Sequence, residues 1–149
     1  MGTPRIDFYV LPETLPPLRF ACTMAAKARS QNLTVHVHAA SRDDAVALDD
    51  LLWSFSDISF LPHALVDDPD HAARCPIVLG WEGARPARAA VLINLSEAIP
   101  DFVAEFERVV EPVQPLPGPR ARARDRYRTY RERGWELYHH DLEGREASA

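Results

Sequence analysis

Glycine and cysteine are scarce in this chain, and several functions are excluded with them. Only six glycines occur in 149 residues, and none falls in a GxxxxGK[ST], GxGxxG or GxSxG pattern. Nucleotide hydrolysis, dinucleotide binding and α/β-hydrolase chemistry each need such a turn, because only glycine lets the backbone approach a phosphate or hold a strained elbow. The two cysteines, Cys22 and Cys75, lie in neither a CxxC nor a zinc-ligand spacing. A disulfide framework and a structural metal site are therefore without support. No apolar run approaches the roughly 20 residues of a membrane-spanning helix. The opening MGTPRIDFYVLPETLPP has no basic stretch followed by an apolar block, so no signal peptide is expected. These absences leave a soluble, cytoplasmic domain with no cofactor and no membrane association.

What is present is the balance of a folded globular protein, 46% apolar and 26% charged. The expected unit is one domain over residues 1–149, with an ordered core at 6–138 and a flexible tail at 139–149. Thirteen prolines outnumber the glycines and cluster at Pro12, Pro16 and Pro17, then at Pro112, Pro115, Pro117 and Pro119. Because proline fixes φ and cannot donate to a ladder, these clusters read as joints between elements.

Charge is concentrated. From Pro119 to Gly134 the chain reads PRARARDRYRTYRERG, with seven arginines against Asp125 and Glu132, a local charge of +5. The remaining ten basic and twenty acidic residues leave −10 elsewhere, within a net charge of −5. An acidic protein carrying one basic segment attracts an anionic partner through its field, whether nucleic acid or an acidic peptide.

Periodicity gives the elements. IDFYVL (6–11) and TVHVH (34–38) read as strands, the second with Val35 and Val37 on one face. Leu18, Ala21, Cys22, Ala25 and Ala28 form one face of a helix that begins at Pro16 or Pro17. Ser41 caps a second helix, with Asp43 and Asp44 in its first turn and Ala45, Leu48, Leu51 and Leu52 on its apolar face. PIVLGW (76–81) and AAVLINL (89–95) are continuous apolar runs, as expected for strands covered on both faces. Phe102, Val103, Phe106 and Val109 predict a helix over 100–109, followed by an edge strand to Val113. The arginine segment predicts a last helix stopped by Gly134, with a short strand from Trp135 to Tyr138. This order predicts a single α/β domain, a mostly parallel sheet with helices on both faces. Its layout is that of nucleotide hydrolases without their phosphate-binding loop.

Catalytic groups are few. His36 and His38 share a strand face and match two metal ligands in need of a third, or two ordinary positions on a half-exposed strand. Cys22 and Cys75 read as small core residues, His139 and His140 as surface residues, and Asp49, Asp50, Asp67 and Asp68 as solvated pairs. The arginine segment carries more. Arg120, Arg124, Arg128 and Arg131 form a row on one helix face, beside a stripe of Ala123, Tyr127, Tyr130 and Gly134. Arginine beside an aromatic grips a partner that is both acidic and apolar, or stacks and neutralises single-stranded nucleic acid. Trp53, Phe55, Ile58, Phe60 and Leu61 crowd a helix end and the loop after it, which fits a protein-binding patch or a cap on the core.

Together DFYVL, LDDLLW followed by SFLPH, VLINL, PDFVAEFERVVE and RDRYRTYRERGWEL resemble the chi subunit of bacterial DNA polymerase III, an accessory protein of the clamp loader. The resemblance implies a non-enzymatic adaptor in DNA replication. One surface would bind the acidic, apolar C-terminal tail of single-stranded DNA-binding protein through Arg124, Tyr127 and Arg128, with Arg120 and Gly134 at the ends of the site. The opposite surface would bind the psi subunit, a divergent equivalent or a repair helicase through Trp53 and Phe60, with Pro62 and His63 shaping the turn. Arg120 and Arg128 stand where the family has lysine, which keeps the charge and changes the donor geometry. The alternative is a module that binds single-stranded nucleic acid directly through the arginine helix.

Overall fold

The structure, a computed structural model, describes residues 2–54, 61–84, 86 and 88–142. The chain opens with β1 (Arg5–Val10), α1 (Pro17–Ser30), β2 (Val35–Ala39) and α2 (Arg42–Ser54). β3 (His63–Leu65), the single turn α3 (Pro69–Ala72), β4 (Ile77–Trp81) and β5 (Val91–Asn94) follow. β6 (Arg108–Val113), α4 (Pro117–Glu132) and β7 (Glu136–Asp141) complete it. The helix ends follow local chemistry. α1 and α4 each start on a proline, whose missing N–H costs nothing in a first turn. The Asp44 N–H donates to Ser41 Oγ at 3.2 Å, as a capping serine should receive it.

The strands form one sheet in the order β3-β4-β2-β5-β6-β1-β7, and every pair runs parallel. One face buries Val35, Val37, Ile77, Leu79 and Ile93 against α1 and α2. The other buries Ile6, Phe8, Leu92 and Val109 against α4 and the segment around Phe106. The expected three-layer α/β domain is the one observed.

Four local expectations are corrected. Over 100–109 there is only a 3-10 turn, Val103–Glu105, because Phe106 turns extended at φ −107° and ψ 151°. The helical spacing of Phe102 and Phe106 reflects instead two rings that close over His36 and His38, with centroids 5.1–6.1 Å apart. β6 is not an edge strand, since it lies between β5 and β1. Pro112 is tolerated there because the ladder with β5 ends at Val110, while Val113 O still accepts from Leu11 N at 2.9 Å on the β1 side. β2 is buried along its whole length rather than half-exposed. Finally, residues 139–141 belong to β7 rather than to a flexible tail, and the Leu142 N–H donates to Val10 O at 2.9 Å. Residues 143–149 lie outside the described residues.

Candidate functional site

The seven arginines of the basic segment divide by environment. Arg126 points inward and is only 8% exposed, and its partner Glu111 on β6 is fully buried. Arg126 Nε donates to Glu111 Oε1 at 3.1 Å and Nη1 to Glu97 O at 2.8 Å. The Tyr130 hydroxyl donates to Glu111 Oε2 at 2.7 Å. Asn94 Nδ2 reaches both carboxylate oxygens, at 3.2 and 3.0 Å, and Asn94 Oδ1 accepts from Ser96 Oγ at 2.6 Å. Burial pushes the Glu111 carboxyl above its ordinary value, and Arg126, Asn94 and Tyr130 pull it back. Burial, and then Glu111, hold the Tyr130 phenol high, so it stays a donor. A charged buried network of this kind fixes α4 against β5 and β6.

Fixing α4 sets what its neighbouring residues face. Arg120, Arg124 and Tyr127, at i, i+4 and i+7, line a cleft of about 190 Å³ with His139 of β7. Its floor is Phe8, Val10, Val113 and Ala123. The Tyr127 ring is held 5.4 Å from Phe8. Among the described residues no carboxylate lines the cleft, and Arg124 has neither an ion pair nor a side-chain hydrogen bond. A cationic rim over an apolar floor receives a group that is itself apolar with an anionic end. Arg128 does not line the cleft; it faces outward, with Nη1 3.7 Å from Asp125 Oδ1. Gly134 lies beyond the helix, where φ +78° lets Trp135 N and Gly134 N bond back to Tyr130 O and Arg131 O and close α4.

The second predicted surface is described in part. Trp53, in the last turn of α2, is 57% exposed, the largest exposure among the big apolar side chains described. It sits edge-on to His63, with ring centroids 4.8 Å apart. His63 is buried, its Nδ1 2.7 Å from Leu61 O and its Nε2 3.2 Å from Asp49 Oδ1, so it props Trp53 between α2 and β3. Pro62 is exposed beside it. Phe55, Ile58 and Phe60 lie outside the described residues.

Residues 3–138 match the family model described as DNA polymerase III chi subunit, HolC. The chain belongs to the DNA polymerase III chi subunit family. It is 40% identical over 140 residues to the DNA polymerase III subunit chi of Pseudomonas aeruginosa, covering 93% of this chain and 96% of that protein. Identity to the Haemophilus influenzae subunit chi is 33% over 134 residues, covering 88% and 92%. Identity to the Escherichia coli subunit chi is 29% over 120 residues, covering 80% and 81%. The chi family is an accessory component of a replicative polymerase, not its catalytic chain.

Against this chi-family frame, the remaining candidates are structural. Burial, with His38 as a minor contributor, pushes His36 down to about 3, and burial lowers His38 against the pull of Glu82, 3.3 Å away. Neutral histidines packed on Phe102 and Phe106 are core groups, and no cluster of metal-ligating side chains occurs among the described residues. Burial pushes the Cys22 thiol up to about 11, which disfavours a nucleophilic thiolate. His140 is not a bland surface residue: it stacks on Tyr9 at 4.3 Å and its Nε2 lies 2.9 Å from Asp7 Oδ1. No helix among the described residues is long and apolar enough to cross a membrane. Sequence reasoning missed the Glu111 network, although a lone carboxylate inside VVEPV was its available signal. It also missed Phe8, Val10 and His139 in the cleft, which only β1 and β7 bring to α4.

Proposed function

We propose that this chi-family chain is an adaptor of the bacterial replicase, working in the cytoplasm. Its α4 cleft holds the acidic, apolar C-terminal tail of single-stranded DNA-binding protein, and its Trp53 face binds psi, a divergent equivalent or a repair helicase. One observation carries the first half: a cation left unpaired among the described residues, Arg124, overlooks an apolar floor closed by Tyr127 and Phe8. Arginine forks pair bidentately with a terminal carboxylate or aspartates, and the floor takes a phenylalanine side chain. Arg120 adds a second cation at the same rim, while Arg128 and Gly134 act from outside the cleft, by field and by ending the helix.

The chemistry of the two surfaces makes them separable. Calorimetric titration with a tail peptide should give saturable binding that weakens with salt, and Arg124→Ala should weaken it at least about tenfold, about 1.4 kcal/mol. Trp53→Ala should leave the peptide affinity unchanged while losing the clamp-loader partner. Unchanged peptide affinity in Arg124→Ala would remove the site assignment. Binding of bare single-stranded DNA, with no peptide binding, would replace the adaptor by a direct nucleic-acid module whose salt slope counts its phosphate contacts.

A further inference from the structure

A second hollow lies on the opposite face of the sheet from the α4 cleft, under the last turns of α1. It is a partly open cleft of about 130 Å³, with Ala28, Val91 and Val110 at its floor and Tyr9, Lys27 and Arg108 at its rim. It exists because α1 turns small side chains to the sheet, Ala21, Ala25 and Ala28, and leaves room over the starts of β5 and β6. A cavity of about 150 Å³ holds a benzene-sized group.

The rim has the opposite character to the floor. Among the described residues no carboxylate lines the hollow, and no hydrogen bond or ion pair takes the Tyr9 hydroxyl, the Lys27 ammonium or the Arg108 guanidinium. The nearby carboxylate, Asp7, is already held by Arg5 Nε at 3.1 Å and His140 Nε2 at 2.9 Å. Tyr9 is held in place, its ring between Phe20 at 5.2 Å and His140 at 4.3 Å. Lys27 and Arg29 offset the negative end of α1, which would otherwise oppose an anion there.

We propose that this hollow binds a small amphiphilic carboxylate, a group about the size of a six-membered ring lying on Val91 and Val110, with its carboxylate met by Arg108, Lys27 and the Tyr9 hydroxyl. The Arg108 fork supplies the bidentate geometry and Lys27 the second charge.

The test is an amide-resolved NMR titration of the whole chain with 3-phenylpropionate, beside its neutral analogue 3-phenylpropanamide. Saturable shifts at Ala28, Val91 and Val110 are expected, with the amide binding about tenfold more weakly and Arg108→Gln costing a similar factor. Ala28→Leu fills the hollow and should abolish binding in a protein that melts like wild type, which separates occupancy from misfolding. N-acetylglycylphenylalanine distinguishes the sources: tighter binding than 3-phenylpropionate points to a protein C-terminus, and equal or weaker binding to a free acid. The proposal is overturned by no shift at those amides up to about 10 mM, well above ordinary fragment affinity. Equal affinity for the neutral analogue, or shifts confined to α4, overturn it as well. Because the two hollows lie on opposite faces, its failure leaves the α4 reading standing.

Discussion

Two arginines two residues apart in α4 should behave in opposite ways, and the contrast tests the assignment of roles within the basic segment. Arg126→Met removes the cation that faces Glu111 at 3.1 Å while keeping most of the side-chain volume. Glu111 then remains fully buried with only Asn94 and Tyr130 as donors. Removing one partner of a buried ion pair costs about 3–5 kcal/mol, because the other charge stays in a low-dielectric site. For a chain of this size that corresponds to a fall in melting temperature of roughly 6–20 °C. The loss should depend on pH in a defined direction. Without Arg126 the Glu111 carboxyl is pushed further above its ordinary 4.5, so the folded state favours the protonated form. A raised folded pKa favours stability at low pH and withdraws it as pH rises, so the variant's deficit should shrink from pH 8 towards pH 5. Glu111→Gln on the Arg126→Met background should recover part of the loss. Arg124→Ala, exposed and unpaired among the described residues, should change stability by no more than about 0.5 kcal/mol. Urea unfolding followed by circular dichroism reads all four proteins. A stability for Arg126→Met within about 0.5 kcal/mol of wild type, or an equal loss in Arg124→Ala, would refute the reasoning.

Three further outcomes are expected. Gly80→Ala places a Cβ 2.7 Å from His36 Cε1 and 3.3 Å from Val66 Cγ1, an overpacking that costs about 1–3 kcal/mol in a thermal melt and is relieved when His36→Ala is added. His36 is held at about 3, below its ordinary 6.5, so its contribution is complete above pH 6.5 and is lost at about 1.4 kcal/mol per pH unit as pH falls towards 3. His36→Gln should flatten that part of the stability–pH curve, and an unchanged slope in urea titrations from pH 7 to pH 4 contradicts it. Gly134→Ala forces a Cβ into φ +78° and should lower stability by about 1–2 kcal/mol, with Gly134→Asn losing less.

The sequence was legible where one face of an element is wet. α1 and α2 carry clean helical stripes, and Pro17 and Ser41 mark their starts. It was less legible where both faces are dry. β6 is buried against both cores, so its apolar run shows no alternation, and Val109 and Val110 fit a helical period as well as a strand. Pro112 then suggested an edge, although only the end of the β5 ladder is missing there. Within the basic segment, spacing grouped Ala123, Tyr127 and Tyr130 on one stripe, and all three do face the sheet or the cleft. Arg126 lies on that same stripe, three residues after Ala123 and four before Tyr130. The +5 of the segment includes it with its neighbours, because a charge in an arginine-rich run gives no sign of burial. Its sign was across the fold, in Glu111, and only the parallel pairing of β6 between β1 and β5 brings the two together.

The central claim is that the hollow beside α4 receives an acidic, apolar chain end. The most direct measurement is an amide-resolved NMR titration of this protein with the last residues of its host's single-stranded DNA-binding protein, run beside the same peptide without its terminal phenylalanine. The account predicts saturable shifts at Ala123, Tyr127, Phe8 and His139 for the complete peptide and their loss for the shortened one. Shifts that are the same for both peptides, or that spare these four amides, would contradict it.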